Sequence, residues 1–502
     1  MIFDCTIKSM DCSRGLPFIE EQISKRAQRN IQFICKQLLR FAKMSINERI
    51  AYLRKYPKNF DCSFPHPSGK GSLLYGTLGQ AKLEDLTDLA LDLDRGLGRR
   101  VGRQRAENAV KDVFVKRVLQ EGLEANEETA VLLLQDAFVA LKESLVGTEH
   151  YFPCVFFPGG SSDEFSVGPV TFIRRKKFFQ DKKLVFRQSI EIETAAHITH
   201  VNTLAAQGFS REHSYNEVES RQLVRSLQAR AIRIYRSYPW VACVRVVDCD
   251  EKISQELAAR AVDMALHVVR VLLGAQSTKK LRLAWSQSEP IHAAHLYADA
   301  GNVIKTSLSW SALESVGASN WHEALMRCSA ELDVLGSALR TIADPVKIYH
   351  LHQRLIDAIH WFGDAATDSS PSSSIVKYVS VIERLFFGKF EAGRTKMFAD
   401  RVSSVLKAFG CDEDCRAYEQ AHAVYKTRSA LLHGAYSPTE DGAQKNIRFA
   451  EDLSRMCLLC SAQLYPMMFQ AFDNPDPVKL EEVMKRISSE GMDWLAKAAG
   501  YS

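Results

Sequence analysis

Arg428 and His433, five residues apart in Lys426-Thr-Arg-Ser-Ala-Leu-Leu-His433-Gly434, are the side chains in this chain best suited to phosphodiester chemistry. A guanidinium keeps its charge at physiological pH and offers a planar fork of donors that fits a phosphate. Histidine is the residue type that exchanges a proton near neutrality, which suits a general base or acid. Ser429, beside the arginine, adds a small hydroxyl. The same residues also describe an ordinary helix end, with Arg428 in an ion pair and His433 as a last-turn cation before a glycine cap. On an ideal helix the two side chains point about 140° apart. They approach one locus only if His433 stands at the helix end, where its ring can swing round.

The elements that must hold this pair are helices. Asp344-Pro345 predicts a helix start, running to about Phe362, with a flexible break over Gly363–Ser374. Apolar periodicity then predicts helices over 375–387, 394–409, 412–433, 442–470 and 477–499. Their short connections imply an antiparallel bundle. Within 412–433, Tyr418, Ala421, Tyr425, Ser429 and Leu432 fall along one side.

Upstream, residues 1–150 are mainly helical by pattern, around a loop at 59–79. Ser68-Gly-Lys-Gly-Ser72 in that loop is not a phosphate loop, because Phe64 stands where the first glycine is needed. Gly96-Leu-Gly98 lacks the third glycine of a dinucleotide fingerprint, Val101 replacing it. Asp88 and Asp92, one turn apart, are expected on a solvated face. Residues 151–340 are β-rich and then α/β. Strands are expected over 152–156, 170–179 and 184–192, so that 171–187 forms a basic, aromatic hairpin. Its Arg174, Arg175, Lys176 and Lys177 are candidate RNA contacts, or the outward cations of an edge hairpin. Ser214-Tyr-Asn-Glu217 predicts a capping box, opening a helix to about Tyr235 whose arginines form a solvated face. A strand (240–247), a helix (251–273) ended by Gly274, and strands at 281–285, 293–297 and 304–310 follow. The expected class is α+β: a helical region (1–150), a central β-rich and α/β region (151–340) and a helical bundle (345–502).

At 502 residues the chain exceeds one ordinary core. Its net charge of +5 does not mark a nucleic-acid binder as a whole, so any basic surface must be local. No apolar run reaches eighteen residues and the amino terminus lacks the regions of a signal peptide, so a cytoplasmic protein with no membrane contact is expected. Twelve scattered cysteines suit reduced thiols. The histidine pairs 197/200, 292/295 and 350/352 lack a companion cluster at zinc spacing. Cys411, Cys415, Cys457 and Cys460 are either four thiolates for a metal or small buried thiols. No metal or cofactor is expected.

Arg428-Ser-Ala-Leu-Leu-His433-Gly434 resembles the Arg-x4–6-His signature of HEPN domains. Val379-Ser-Val-Ile-Glu383-Arg-Leu-Phe matches the glutamate-bearing helix of that group, and Phe398-Ala-Asp-Arg401-Val-Ser-Ser-Val-Leu the helix after it. With Tyr425-Lys-Thr-Arg-Ser, the stretch 345–470 looks most like the ApeA-type HEPN branch of phage-defence proteins. The resemblance implies a metal-independent endoribonuclease of an abortive-infection system, with its active site at the interface of a homodimer or higher even oligomer. His433 would serve as general base or acid, Arg428 would neutralise the scissile phosphate, Ser429 would orient it, and Glu383 would position Arg428 or His433. It further implies RNA, tRNA by analogy, as substrate, and a phage-derived trigger sensed by the first two thirds of the chain. An inactive HEPN scaffold that binds RNA or protein is the alternative.

Overall fold

The computed structural model describes residues 19–66, 71–94, 96–157, 162–206, 216–284, 292–298, 304–310, 320–346, 349–389, 394–412, 416–435 and 441–501. The chain forms two compact units, residues 1–147 with 248–254, and residues 148–247 with 255–502.

The first unit is helical. Helices α1 (Glu21–Ala42), α2 (Ile46–Lys55), α3 (Gly76–Asp92), α4 (Leu97–Arg100), α5 (Arg103–Phe114) and α6 (Glu127–Glu143) surround a core that includes Ile31, Ile34, Leu86, Phe114 and Leu133. The segment expected to be all loop holds a small hairpin, β1 (Ser63–Pro65) and β2 (Ser72–Leu74), with Phe64 opposite Leu73. Phe64 is fully buried, its ring stacked 4.7 Å from that of Phe114. The residue that spoils the phosphate-loop motif is therefore a core residue; Ser68, Gly69 and Lys70 lie outside the described residues. Asp88 and Asp92 of α3 are exposed, as expected of a solvated face; Asp88 pairs with Arg103, and the nearby Asp85 accepts from Arg26 Nε at 3.0 Å and Asn30 at 2.6 Å.

The second unit joins a sheet to the carboxy-terminal helices. Strands β3 (Val146–Val155), β4 (Glu164–Val167) and β5 (Val170–Arg174) are followed by helices α7 (Arg175–Asp181), α8 (Lys183–Ala206) and α9 (Glu217–Arg236). Then come β6 (Trp240–Cys249), α10 (Glu251–Leu273), α11 (Ala275–Thr278), β7 (Arg282–Leu283), β8 (His292–Ala298) and β9 (Ile304–Trp310). The five-stranded sheet runs β4-β5-β6-β3-β7, while among the described residues β8 and β9 form a separate two-stranded antiparallel ribbon. Phe156, Phe165, Phe172 and Trp240 pack on Trp321 or on one another with centroids 5.0–5.9 Å apart.

The basic hairpin expected at 171–187 is corrected. β5 ends at Arg174, opposite Trp240, and Arg175 opens a helix. The β-branched run 184–192 lies inside α8. A strand there would need a neighbour to satisfy its backbone, whereas a helix satisfies its own and still packs on α9. The cap of α9 is Asn216 with Glu219, two residues beyond the expected box, and Ser214 lies outside the described residues.

The remaining helices are α12 (Trp321–Arg327), α13 (Ser329–Ala343), α14 (His350–Thr367), α15 (Pro371–Phe386), α16 (Arg394–Ala408), α17 (Ala417–Leu432), α18 (Asp441–Ala471), α19 (Pro477–Glu490) and α20 (Asp493–Ala498). Asp344 ends α13 instead of starting a helix, and the break after α14 shrinks to Asp368–Ser370. Gly363 sits buried inside α14, and Pro371 supplies the first turn of α15. The helix expected over 477–499 is two helices, broken at Gly491. α15 packs on α14, α17 and α18, and α17 on α16 and α18. The sheet packs on these helices, and α10 is tied to them as well. A Cβ on Gly336 of α13 would meet the Gly168 backbone nitrogen at 2.6 Å, so the β4–β5 turn lies directly on that helix. Arg455 of α18 donates to Val271 O and Leu272 O, each at 2.6 Å, capping the end of α10.

Candidate active site

Glu383 on α15 is the hub. Its side chain is 14% exposed, and three groups converge on it. Arg394, at the start of α16, donates to Oε1 at 3.0 Å, and the Tyr425 hydroxyl lies 3.2 Å from the same oxygen. Arg428 Nη2 lies 3.5 Å from Oε2. Helix periodicity explains the convergence. Ala421, Val424 and Tyr425 are buried where α17 packs, which leaves Arg428 at the rim of that face with a quarter of its side chain exposed. Phe398 packs against Tyr425 with centroids 4.8 Å apart and fixes the phenol. Burial, then the charge of Glu383, raises the Tyr425 pKa, so its hydroxyl remains a donor to the carboxylate.

Among the described residues one carboxylate faces these two guanidiniums, a local balance of about +1 at the rim of the bundle. Arg428 is held, among the described residues, by the long ion pair and by its position 5.5 Å from the Tyr425 ring centre. Its Nε has no hydrogen-bond partner among the described residues. The guanidinium is thus oriented, with a quarter of the side chain exposed where an anion can reach it.

His433 terminates α17. Gly434 has φ +71° and donates to Leu431 O at 3.3 Å, while Ala435 N donates to Ala430 O at 2.9 Å. That pair of bonds is a Schellman cap. The imidazole is exposed and makes no side-chain hydrogen bond or ion pair among the described residues. It lies about 7.5 Å further along the helix axis than Arg428, from 1.5 Å per residue. Glu383 therefore holds the arginine and not the histidine. Ser429 is half-buried on α17; among the described residues its hydroxyl makes no hydrogen bond, and its carbonyl accepts the His433 N–H at 3.1 Å.

Arg401, in the second matching helix, belongs to the core instead. It is 2% exposed, lies 4.3 Å over Phe387, donates to Phe386 O at 2.6 Å and pairs with Glu481 of α19. The arginine that joins Glu383 is Arg394, which sequence reasoning missed. Its only signal was its place at the start of a helix packed near Glu383.

The four candidate RNA contacts are not brought to this site. Arg174 lies 4.3 Å over the Trp240 ring, Arg175 donates to Arg236 O, and Lys177 pairs with Asp181 at 2.7 Å; of the four, Lys176 is the exposed one. Among the described residues no group of three His, Cys, Asp or Glu side chains is placed to hold a metal ion. Cys457 and Cys460 are buried on α18, and burial raises both thiols, favouring the protonated form. Cys415 lies outside the described residues, as do the side chains of His292 and His295. His197 meets Ser220 at 3.1 Å, and His352 packs on Phe469. Sequence reasoning also missed Asp263 and His267 on α10, beside His360 and Asp364 on α14. Each pair is spaced i,i+4 at 3.8 Å, with the two imidazoles 6.1 Å apart.

Among the described residues no helix is long and apolar enough to cross a membrane. Compared with protein-family models, curated proteins and solved structures, the chain matches none of them.

Proposed function

We propose that this chain is a metal-independent endoribonuclease of the HEPN type. The observation that carries the reading is the tethering of Arg428 by Glu383 one and a half turns before an exposed His433. The net positive rim draws a phosphodiester to Arg428, and the free imidazole takes the proton of the adjacent ribose 2′-hydroxyl. The 2′-oxygen attacks phosphorus, the bond from phosphorus to the 5′-oxygen breaks, and that oxygen leaves protonated by an imidazolium. The products are a 2′,3′-cyclic phosphate and a 5′-hydroxyl. Arg428 stabilises the charge that builds on the phosphoryl oxygens. A two-fold dimer supplies the second imidazole, since symmetry brings two copies of one motif together. The remainder of the chain selects the RNA, tRNA being the first candidate, or senses a phage-derived trigger.

Labelled RNA incubated with the protein in EDTA tests this directly, beside His433→Ala. Products ending in a 2′,3′-cyclic phosphate, lost in the variant, are expected. If the variant cuts as well as the wild type, the assignment of this motif is lost. If the wild type binds RNA without cutting it, even with infected-cell extract, the scaffold reading replaces the enzyme.

A further inference from the structure

The net charge of the chain is concentrated in one place. Residues 174–236 hold thirteen Lys and Arg against six Asp and Glu, an excess of seven in a chain whose total is +5. The remainder is slightly acidic. This segment forms α7 and the antiparallel pair α8–α9, in which Gln228 of α9 donates to Phe186 O at 2.9 Å and Arg221 pairs with Glu191. Beyond Glu219, α9 carries no acidic residue. Arg225, Arg230 and Arg233 are exposed, and none has a carboxylate at ion-pair distance among the described residues; the same holds for Lys183 and Arg187 at the start of α8. An i,i+4 carboxylate would offset such a charge, so a run of cations without one concentrates potential.

We propose that the outer face of α9, with Arg225, Arg230 and Arg233 at its centre and Lys183 and Arg187 beside it, binds the phosphate backbone of RNA. Every cation on α9 is arginine, whose fork grips phosphate bidentately. Arg225, Arg233 and Arg230 spread over about 140° of the helix and reach about 12 Å along it, a track rather than a point. A helix lying on a membrane would need a free apolar stripe opposite its charges. On α9 no such stripe lies opposite the arginines: Val224 is buried and Gln228 is bonded where the helix meets α8, and the exposed Val218, Leu227 and Ile234 fall within or beside the arc of the arginines. This inference rests on the RNA-cleaving reading for the identity of its ligand. It adds a surface that holds substrate away from the Arg428 rim.

The test measures binding of a fluorescent single-stranded RNA in the full chain carrying His433→Ala, so that cleavage plays no part. Arg225→Gln, Arg230→Gln and Arg233→Gln are combined in the same background, and circular dichroism verifies the fold. Loss of three phosphate contacts lowers the slope of log affinity against log salt by about 2, at roughly 0.7 per contact for a single strand. Affinity at moderate salt falls at least about tenfold. Unchanged slope and affinity overturn the proposal. So does tighter binding of phosphatidylserine vesicles than of RNA, lost in the triple variant, which assigns the face to a membrane. If RNA is cut but the triple variant binds normally, only this surface is wrong. If the surface binds RNA that is never cut, only the nuclease reading fails.

Discussion

Glu383→Gln separates positioning from charge at the candidate site. The substitution keeps the shape of the side chain but removes the charge that faces Arg394, Arg428 and the Tyr425 hydroxyl. Two part-exposed ion pairs contribute up to about 1 kcal/mol each, and a hydrogen bond to a charged acceptor about 1.5 kcal/mol. The bundle should therefore lose about 2–3 kcal/mol, well short of unfolding a stable domain. Catalysis and binding should move in opposite directions. The rim goes from about +1 to about +2, so RNA binding tightens at low salt and its salt slope steepens by about 0.7. Arg428, whose Nε has no hydrogen-bond partner among the described residues, loses its tether. Re-ordering that side chain costs about 1–2 kcal/mol of rotamer entropy, a fall of about 5- to 30-fold in single-turnover cleavage. Binding is read by anisotropy in a His433→Ala background and cleavage by single-turnover assays in EDTA. A folded variant with both unchanged salt slope and unchanged cleavage rate would refute the role given to Glu383.

Three further outcomes follow from the packing. Glu481→Gln leaves Arg401 buried without its counter-charge and should cost about 3–5 kcal/mol in urea titrations; Arg401→Met with Glu481→Leu should recover much of that loss. His267 is buried, and that burial, with Arg270 and His360 nearby, holds its pKa well below 6.5. Below about pH 6.5 the unfolded chain takes a proton that the folded chain refuses. Stability from this group is thus complete above that pH and falls by up to about 1.4 kcal/mol per unit below it. A melting-temperature series against pH should show the slope in the wild type and a flatter one in His267→Gln. Gly336→Ala should destabilise by about 1–3 kcal/mol, although alanine ordinarily favours a helix by about 1 kcal/mol, because its Cβ would meet Gly168 N at 2.6 Å; a thermal melt at or above the wild-type midpoint would show that the turn yields.

Much of the helical framework was legible in the sequence because it depends on local rules. Apolar residues at a period of 3.6 marked α10, α15, α16 and α18, and Gly434 marked the end of α17 because a positive φ suits a residue without Cβ. Arg428, His433 and Glu383 could be singled out by residue type and spacing alone. What failed were segments whose form is decided by a neighbour. Residues 184–192 have the composition of a strand, yet become helix, in which the backbone satisfies itself while Phe186 packs beside Phe178 and α8 lies along α9. Arg394 and Arg401 look alike in sequence. Only the packing of α16 against α15, α17 and α19 sends one to Glu383 and buries the other on Glu481. The sequence by itself determined the chemical types on offer and the helices that carry them. The tertiary structure decided which charges meet, because carboxylate and guanidinium pair through space over a few ångströms whatever their separation along the chain.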